Sequence, residues 1–190
     1  MRRTKEEALQ TRESILQAAA QIIARLGINA FTIEAVAQEA GLTKGGVLHH
    51  FPTKEALVNG LIDQVIGVFD TRLEEELRVE PAAQPGRWLR AYIRTIFAVQ
   101  YDDKNLMPAL AAALAADHQL LARIRCNYAA SQLAAVQDGL DSMQATIIRL
   151  AVDGIVFARA LNLEVLDQET NQQVRDELFR LTTLDTLLPG

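Results

Sequence analysis

Apolar residues recur along most of the chain at intervals of three and four positions, which is the spacing of one face of an α-helix. A first stripe of this kind lies near the N-terminus and consists of Ile15, Ala19, Ile22 and Leu26. Gly27 follows it directly, in the position where glycine commonly ends a helix. Signals for β-hairpins are nearly absent, so the pattern predicts an all-α fold.

Two short helices are predicted next, and a tight turn separates them. Thr32 is placed to cap the first helix, and Gly41 ends it. Thr43 is placed to cap the second helix. That helix ends at about His50, because the residue before Pro52 avoids helical dihedral angles. Two short helices joined by a glycine-containing turn are typical of a helix-turn-helix, whose second helix enters the major groove of DNA.

A much longer helix begins after Thr53 with the sequence KEALVNGLIDQVIGVF. The segment 78–86 interrupts the helical pattern most clearly, because it holds two prolines and a glycine. Beyond it we predict five more helices: about 87–101, a short alanine-rich one ending near 116, then about 117–137, 142–166 and 168–183. The chain is therefore expected to hold about nine helices.

The charge of the chain is uneven. Its 190 residues carry a net charge of −5. Residues 1–55 hold seven lysines and arginines against six glutamates, and the remainder holds twelve basic residues against eighteen acidic ones. An acidic protein with a small basic face can still bind nucleic acid, so the overall charge does not exclude DNA as a partner.

Composition excludes several other classes. Cys126 is the only cysteine, so an internal disulfide framework or a cysteine-based zinc site is impossible. The chain has no apolar run of about 18 residues and starts without an apolar signal core. A cytoplasmic protein without a membrane partner is the simplest expectation.

The segment GLTKGGVLHHFPTKEAL, residues 41–57, concentrates glycines, histidines and lysines. Its glycines lack the preceding strand of a nucleotide-binding loop. His49 and His50 are adjacent on a helix and therefore point about 100° apart, which disfavours a shared metal. We expect neither a metal nor a cofactor here, and favour an exposed His49 that is available to DNA.

The segment TRESILQAAAQIIARLGINAFTIEAVAQEAGLTKGGVLHHFPTKEALV, residues 11–58, resembles the N-terminal region of the TetR family of bacterial transcriptional regulators. The resemblance implies a helix-turn-helix DNA-binding domain, placed at residues 1–55. It also implies a helical ligand-binding and dimerisation domain, placed at residues 56–190. The resemblance implies DNA contacts by Thr32, Thr43, Lys44 and Lys54. The helical spacing places Val47 and Phe51 toward the core and so adds Gly45, Leu48 and His49 on the opposite side of the helix, and Gly46 would let the backbone approach DNA closely. The family most often has threonine and tyrosine where this chain has Gly46 and Leu48, so the pattern of contacts does not transfer unchanged.

A regulator of this kind needs two DNA-reading helices about 34–36 Å apart, which requires a dimer. The predicted dimer surface lies on the last two helices and consists of Ile147, Ala151, Gly154, Ala158, Leu161, Leu178, Leu181 and Leu184. The alternative is that these stripes form intrachain core.

The candidate ligand-binding residues lie between the fourth and eighth predicted helices. They are Trp88, Tyr92, Phe97, Tyr101, Met107, His118, Tyr128, Asp153 and Phe157. For any one of the apolar residues, packing in the core is the better interpretation. A buried Asp153 would be costly alone, and Arg149, four residues earlier, is a possible ion-pair partner.

The sequence thus predicts a homodimeric repressor that binds an inverted repeat in double-stranded DNA and is released by a small, largely hydrophobic effector. The alternatives are an activator or corepressor-dependent regulator of the same fold, and a helical protein-interaction module without DNA. The sequence shows no motif for a serine or cysteine nucleophile, so we do not expect an enzyme.

Overall fold

The computed structural model describes residues 5–27, 30–98, 118–161, 163 and 166–183. Within these ranges every regular element is a helix, which confirms the predicted all-α fold. The eight helices are α1 (Lys5–Leu26), α2 (Ile33–Glu39), α3 (Lys44–His50), α4 (Lys54–Val79), α5 (Arg87–Ala98), α6 (His118–Val136), α7 (Ser142–Ala160) and α8 (Gln168–Leu181). The short helix predicted to end near residue 116 lies outside the described residues. No helix in these ranges is both long enough and apolar enough to cross a membrane.

The chain divides into two compact units, and the division falls inside α4. The first unit holds the described residues up to Gly67 together with 118–120. The second holds Val68–Ala98 and the described residues from Leu121 onward. The domain boundary predicted after residue 55 stays a prediction.

The first unit is built around one apolar core that α1, α2, α3 and the start of α4 share. Its largest fully buried side chains are Phe31, Ile15, Leu16, Ile22, Leu57, Leu61, Ile62, Val36 and Val47. Ile15, Ala19 and Ile22 of the predicted α1 stripe supply one wall of this core, because residues three and four apart lie on one face of a helix, whereas Leu26 at the end of the helix is 55% exposed. The short helices α2 and α3 are stabilised by the burial of their apolar side chains in this core, since two-turn helices are not stable alone.

The turn between α2 and α3 has the geometry that the glycine predicts. Gly41 has a φ of +65°, in the left-handed region. The backbone N–H of Leu42 donates to the carbonyl of Ala37 at 2.8 Å, and that of Gly41 donates to Gln38 at 3.2 Å. This pair of bonds is a Schellman motif, which ends α2 and redirects the chain into α3.

Phe51 ends α3 and packs directly on α4. Its ring is buried and lies over Gly60, where a Cβ atom would come within 2.6 Å of the Phe51 Cε1 atom. A Cβ there would also lie 3.0 Å from a methyl carbon of Leu16. The absence of a side chain at Gly60 therefore lets the end of α3 approach the backbone of α4.

In the second unit, α5 packs against α7 and α8 around a second apolar cluster. The carboxylate of Asp138, which lies after α6, accepts hydrogen bonds from the backbone N–H groups of Trp88 (2.7 Å) and Leu89 (2.9 Å). Burial raises the pKa of Asp138 above its ordinary value, and these two bonds act in the opposite direction. A side chain some fifty positions later in the chain thus caps the N-terminus of α5.

Glu80, directly after α4, ties that helix to α5. Its carboxylate pairs with Arg90 at 2.8 Å and also with Arg94, whose Nε atom lies 2.7 Å from Glu76. Burial alone would raise the pKa of Glu80, but the two arginines hold it below its ordinary value. The carboxylate is therefore ionised at neutral pH and is fully paired.

We predict that Gly60→Ala destabilises the protein by about 1–3 kcal/mol, because the new methyl group forces the Phe51 ring out of its packed position. The measurement is the midpoint of urea unfolding. Gly67→Ala is the matched control, since it lies in the same helix and a Cβ atom there meets no heavy atom within 4 Å. Equal midpoints for the two variants would contradict the packing argument.

Candidate nucleic-acid interface and sensor site

The predicted DNA-contacting residues lie on the outer side of α3 and at the starts of α2, α3 and α4. Val47 is fully buried, and Phe51 beyond the helix is buried as well. The exposed or half-exposed residues of the set are Thr32, Thr43, Lys44, Gly45, Gly46, Leu48, His49 and Lys54. We refer to these eight residues as the reading face.

Three threonines of this region cap helices, as the sequence predicts. The Thr32 hydroxyl oxygen accepts from the N–H of Ala35 at 3.1 Å, and that of Thr43 accepts from Gly46 at 3.0 Å. Thr53 caps α4 in the same way. A hydroxyl that accepts one of these bonds still has its own proton to donate. Thr32 and Thr43 are exposed, so that proton is accessible to an anion such as a phosphate.

The two lysines of the reading face have different surroundings. Lys54 places its ammonium 5.2 Å from the centre of the Phe31 ring. Lys44 places its ammonium 2.5 Å from a carboxylate oxygen of Glu34, in the first turn of α2. Sequence reasoning missed Glu34. The sequence did contain a signal for this pair. Glu34 and Lys44 each follow a capping threonine, so both fall in the first turns of consecutive helices.

His49 and His50 lie edge to face, with ring centres 5.3 Å apart and an interplanar angle of 79°. Among the described residues, no three histidine, cysteine, aspartate or glutamate side chains lie close enough to hold a metal ion.

In the second unit, Asp153 is the centre of a buried polar cluster. Its carboxylate accepts a short hydrogen bond from the Tyr92 hydroxyl and pairs with Arg149 at 2.6 Å. Arg149 also donates to Gln132 at 2.5 Å, and its guanidinium lies 4.1 Å from the centre of the Tyr128 ring. The ion pair with Arg149, four residues earlier, is therefore present, and Asp153 is not an isolated charge.

The tyrosines of this cluster are held in their neutral forms. Burial, together with the charge of Asp153, raises the pKa of Tyr92 well above its ordinary value. Burial also raises the pKa of Tyr128, which hydrogen-bonds to the same carboxylate. Both hydroxyls are consequently donors at neutral pH, and the charge of Asp153 is fully engaged by groups of its own chain.

Aromatic rings extend this cluster on one side. Trp88 stacks on Tyr92 with ring centres 4.8 Å apart, and Phe69 meets the same tyrosine edge to face at 5.7 Å. Four of the predicted ligand-binding residues thus come together: Trp88, Tyr92, Tyr128 and Asp153.

The other predicted ligand-binding residues lie elsewhere. Phe97 packs against the core of the second unit beside Arg159, whereas Phe157 is 60% exposed. Tyr101, Met107 and the His118 side chain lie outside the described residues.

Helix α7 carries an exposed apolar stripe that continues to the residue after it. Its members recur at intervals of four and three positions and are Met143, Ile147, Leu150, Gly154, Phe157 and Leu161. Ala151 beside it is exposed as well, and Ala158 is half-buried. Sequence reasoning named five of these eight residues as a dimer surface and missed Met143, Leu150 and Phe157, although the spacing includes all three.

The leucines predicted for the dimer surface in α8 are placed differently. Leu178 is 5% exposed and belongs to the core of its own chain, and Leu181 packs against that core. Leu184 lies outside the described residues.

Two family models match the chain. The one described as bacterial regulatory proteins, tetR family, matches residues 15–61 and so covers the helix-turn-helix. The one described as tetracyclin repressor-like, C-terminal domain, matches residues 86–183, which is more than half of the chain.

Curated relatives agree with the family models. The transcriptional regulator TtgR of Pseudomonas putida is 37% identical over 84 residues, which cover 43% of this chain and 40% of TtgR. The transcriptional repressor BepR of Brucella suis biovar 1 is 44% identical over 62 residues, which cover 33% of this chain and 30% of BepR. The matches therefore span less than half of the length of these relatives.

Solved structures share the fold at low sequence identity. A transcriptional regulator from Pseudomonas aeruginosa PAO1 has a TM-score of 0.73 at 19% identity, and the match covers 94% of this chain and 91% of that one. The multidrug binding protein EbrR complexed with imidazole has a TM-score of 0.62 at 21% identity, with 93% and 97% covered. Together with the helix-turn-helix and the two family models, these likenesses place the chain in the TetR family of bacterial transcriptional regulators, as its sequence predicts.

Proposed function

We propose that this TetR-family regulator is a cytoplasmic repressor that binds an inverted-repeat operator as a homodimer and is released by a small, largely hydrophobic ligand. The observation that carries the proposal is the reading face. It combines exposed capping threonines, the outer side of the short helix α3, whose opposite side is buried, and two lysines that begin α3 and α4. The repressor sign follows the name of BepR, the relative with 44% identity over 62 residues.

The reading face supplies two kinds of contact to DNA. Thr32, Thr43, Lys44 and Lys54 are suited to phosphates, because hydroxyl and ammonium groups donate hydrogen bonds to anions. Gly45, Gly46, Leu48 and His49 are placed for base edges. A Cβ atom at Gly46 would meet its nearest neighbour, the Thr43 hydroxyl oxygen, at 3.4 Å, which is an ordinary contact, so packing within the chain does not require glycine at this position. In this assignment phosphate contacts orient α3, and the second group distinguishes sequences.

The exposed stripe of α7 is the surface that we assign to the homodimer. Leu150 is 50% exposed and Phe157 is 60% exposed, and contiguous apolar side chains of this kind are typical of association surfaces. Gly154 and Ala151 lack bulk, which permits a second helix to approach closely. A twofold axis through this stripe gives the symmetry that an inverted repeat requires. The α8 leucines are left out of this surface because those described pack within their own chain.

The ligand is assigned to the aromatic cluster of Phe69, Trp88, Tyr92 and Tyr128. Because Asp153 is already paired with Arg149 and bonded to Tyr92, the cluster offers aromatic surface rather than a free negative charge. This favours an uncharged, largely apolar ligand. The same fold holds imidazole in EbrR.

Release from DNA is assigned to α4. This helix begins at Lys54, beside the reading face, and ends at Val79, so it belongs to both units of the chain. A ligand that contacts Phe69 on α4 can change the orientation of that helix. It shifts the equilibrium only if it binds the DNA-incompetent state more tightly than the competent one.

For DNA binding, we expect that selection from randomised duplex DNA enriches an inverted repeat. Against that sequence, Lys44→Gln and Lys54→Gln should each weaken binding. Lys54→Gln should reduce the slope of log affinity against log salt by about one, since it removes one phosphate contact, and Lys44→Gln should reduce it by less, because Lys44 is already paired with Glu34. Arg175→Gln, a half-exposed cation on α8, is the control and should leave the slope unchanged. If the protein retains DNA without enriching any sequence, the operator-binding role is contradicted. The same holds if it retains no DNA either with or without added small-molecule extracts.

For the dimer, we expect Leu150→Glu to convert the protein to a monomer in sedimentation velocity, because a charge in an apolar interface is desolvated without a partner. Leu133→Glu is the matched control on α6. Leu133 is 55% exposed and lies outside the α7 stripe, so this variant should remain dimeric. A Leu150→Glu protein that sediments as the wild type does would contradict the assignment.

For the ligand, the intrinsic fluorescence of Trp88 is a direct probe, because it is the only tryptophan in the chain. An apolar aromatic ligand that enters the cluster should change the emission of Trp88 saturably and release the operator over the same concentration range. Trp88→Leu removes the ring that stacks on Tyr92, so it should raise the concentration of an aromatic ligand needed to release the operator by about twofold to tenfold. Operator release without a change in Trp88 emission would place the ligand elsewhere.

A further inference from the structure

The reading face contains an ion pair that a DNA-binding role does not by itself explain. Glu34 lies in the first turn of α2, and Lys44 is the first residue of α3. The Lys44 Nζ atom lies 2.5 Å from the Glu34 Oε1 atom, although both side chains are well exposed. The pair therefore joins the exposed first turns of the two helices of the helix-turn-helix.

The position of this pair is fixed by the local fold on both sides. Thr32 caps α2 two residues before Glu34, and Thr43 caps α3 directly before Lys44. The Schellman motif at Gly41 sets the turn between the two helices. Glu34 and Lys44 are consequently brought together by backbone geometry, whatever the two exposed side chains contribute energetically.

Glu34 is negatively charged when DNA approaches. The hydrogen bond from Lys44, with smaller contributions from a backbone hydrogen bond and the lysine charge, holds the pKa of Glu34 below its ordinary value. A carboxylate and a DNA phosphate are both anionic oxygen acceptors for an ammonium group. In the free protein, Lys44 thus already holds the kind of partner that a phosphate would provide.

We propose that Glu34 acts as an internal substitute for a DNA phosphate at Lys44 and so limits sequence-independent binding to DNA. A phosphate that binds Lys44 must share the ammonium with Glu34 or displace it, and in either case the charge of Glu34 remains beside the DNA backbone. The pair adds no net charge to the interface, so Lys44 contributes less to counterion release than an unpaired lysine does. Glu34 also holds Lys44 in place between binding events. This role rests on the proposed DNA-binding function.

The test is binding of the full-length protein to a duplex of arbitrary sequence, measured over a range of salt concentrations. Glu34→Gln keeps the size of the side chain and removes its charge. It should tighten binding at low salt by about threefold to fivefold. It should also steepen the slope of log affinity against log salt by about 0.9, the value for one additional neutralised phosphate.

Glu39→Gln is the matched control. Glu39 also lies in α2 and pairs at 2.7 Å with a cation, Arg25, so this variant removes the same charge and releases an ion pair at the other end of the helix. It should change the affinity by less than about twofold. Equal effects of the two variants would show that only net charge matters and would overturn the role of Glu34.

A double variant separates an effect through Lys44 from an effect on DNA directly. In a Lys44→Gln background, Glu34→Gln should tighten binding less than it does in the wild-type background, because the lysine that it would release is absent. An undiminished effect in that background would overturn the proposal. Wild-type protein that binds no duplex even at low salt would contradict the DNA-binding function itself, whereas wild-type binding that Glu34→Gln leaves unchanged would contradict only the inference about Glu34.

Discussion

The contact between the Phe51 ring and the backbone of α4 at Gly60 is the constraint on which the placement of α3 depends. Helix α3 has only seven residues, and two of them are glycines, so its intrinsic stability is low. The Thr43 cap and the Gly41 turn fix its beginning, and the burial of Phe51 fixes its end. The guanidinium of Arg12, 4.9 Å from the ring centre, adds a contact from α1. Both ends of α3 are therefore held by contacts with the rest of the first unit.

The second unit depends on a different kind of constraint, in which polar groups far apart in the chain satisfy one another. Asp138 caps α5, and Glu80 pairs with two arginines of that helix. Asp153 pairs with Arg149 and accepts a hydrogen bond from Tyr92, which lies 61 positions earlier in the sequence. Removing one partner would leave a buried charge or donor unsatisfied, which costs more than the bond itself contributes. These polar networks specify one arrangement of the helices around a core that is otherwise apolar.

Local signals in the sequence predicted the elements well. The capping threonines, Gly41 and Pro52 each act within a few residues of their own position. Their effects on the backbone follow from short-range sterics and hydrogen bonds. The family resemblance could be recognised because its pattern lies in this locally determined segment, and it was confirmed. The family is one of transcriptional regulators, which also confirms the prediction of a non-enzymatic protein.

The features that could not be predicted from the sequence depend on which surface of a helix another element covers. The apolar stripe that includes Leu178 resembled that of α7 in sequence, yet one packs inside the chain and the other is exposed. A helical period identifies an apolar face and does not identify what lies against it. The partner of Lys44 was missed for the same reason, because Glu34 is ten positions away and reaches the lysine only through the turn.

The charge of the chain explains why DNA binding requires both the reading face and the α7 stripe. Beyond residue 55 the chain is acidic by about six charges, so its body repels a phosphate backbone. At physiological salt this repulsion fades over about 8 Å, so the charges that contribute are those that lie directly against DNA. In the proposed interface these cations are Lys44 and Lys54, and Glu34 already neutralises the first. One protomer then has little affinity for phosphates alone. Two protomers joined through α7 contact two half-sites at once, and that doubling supplies the affinity that one reading face lacks.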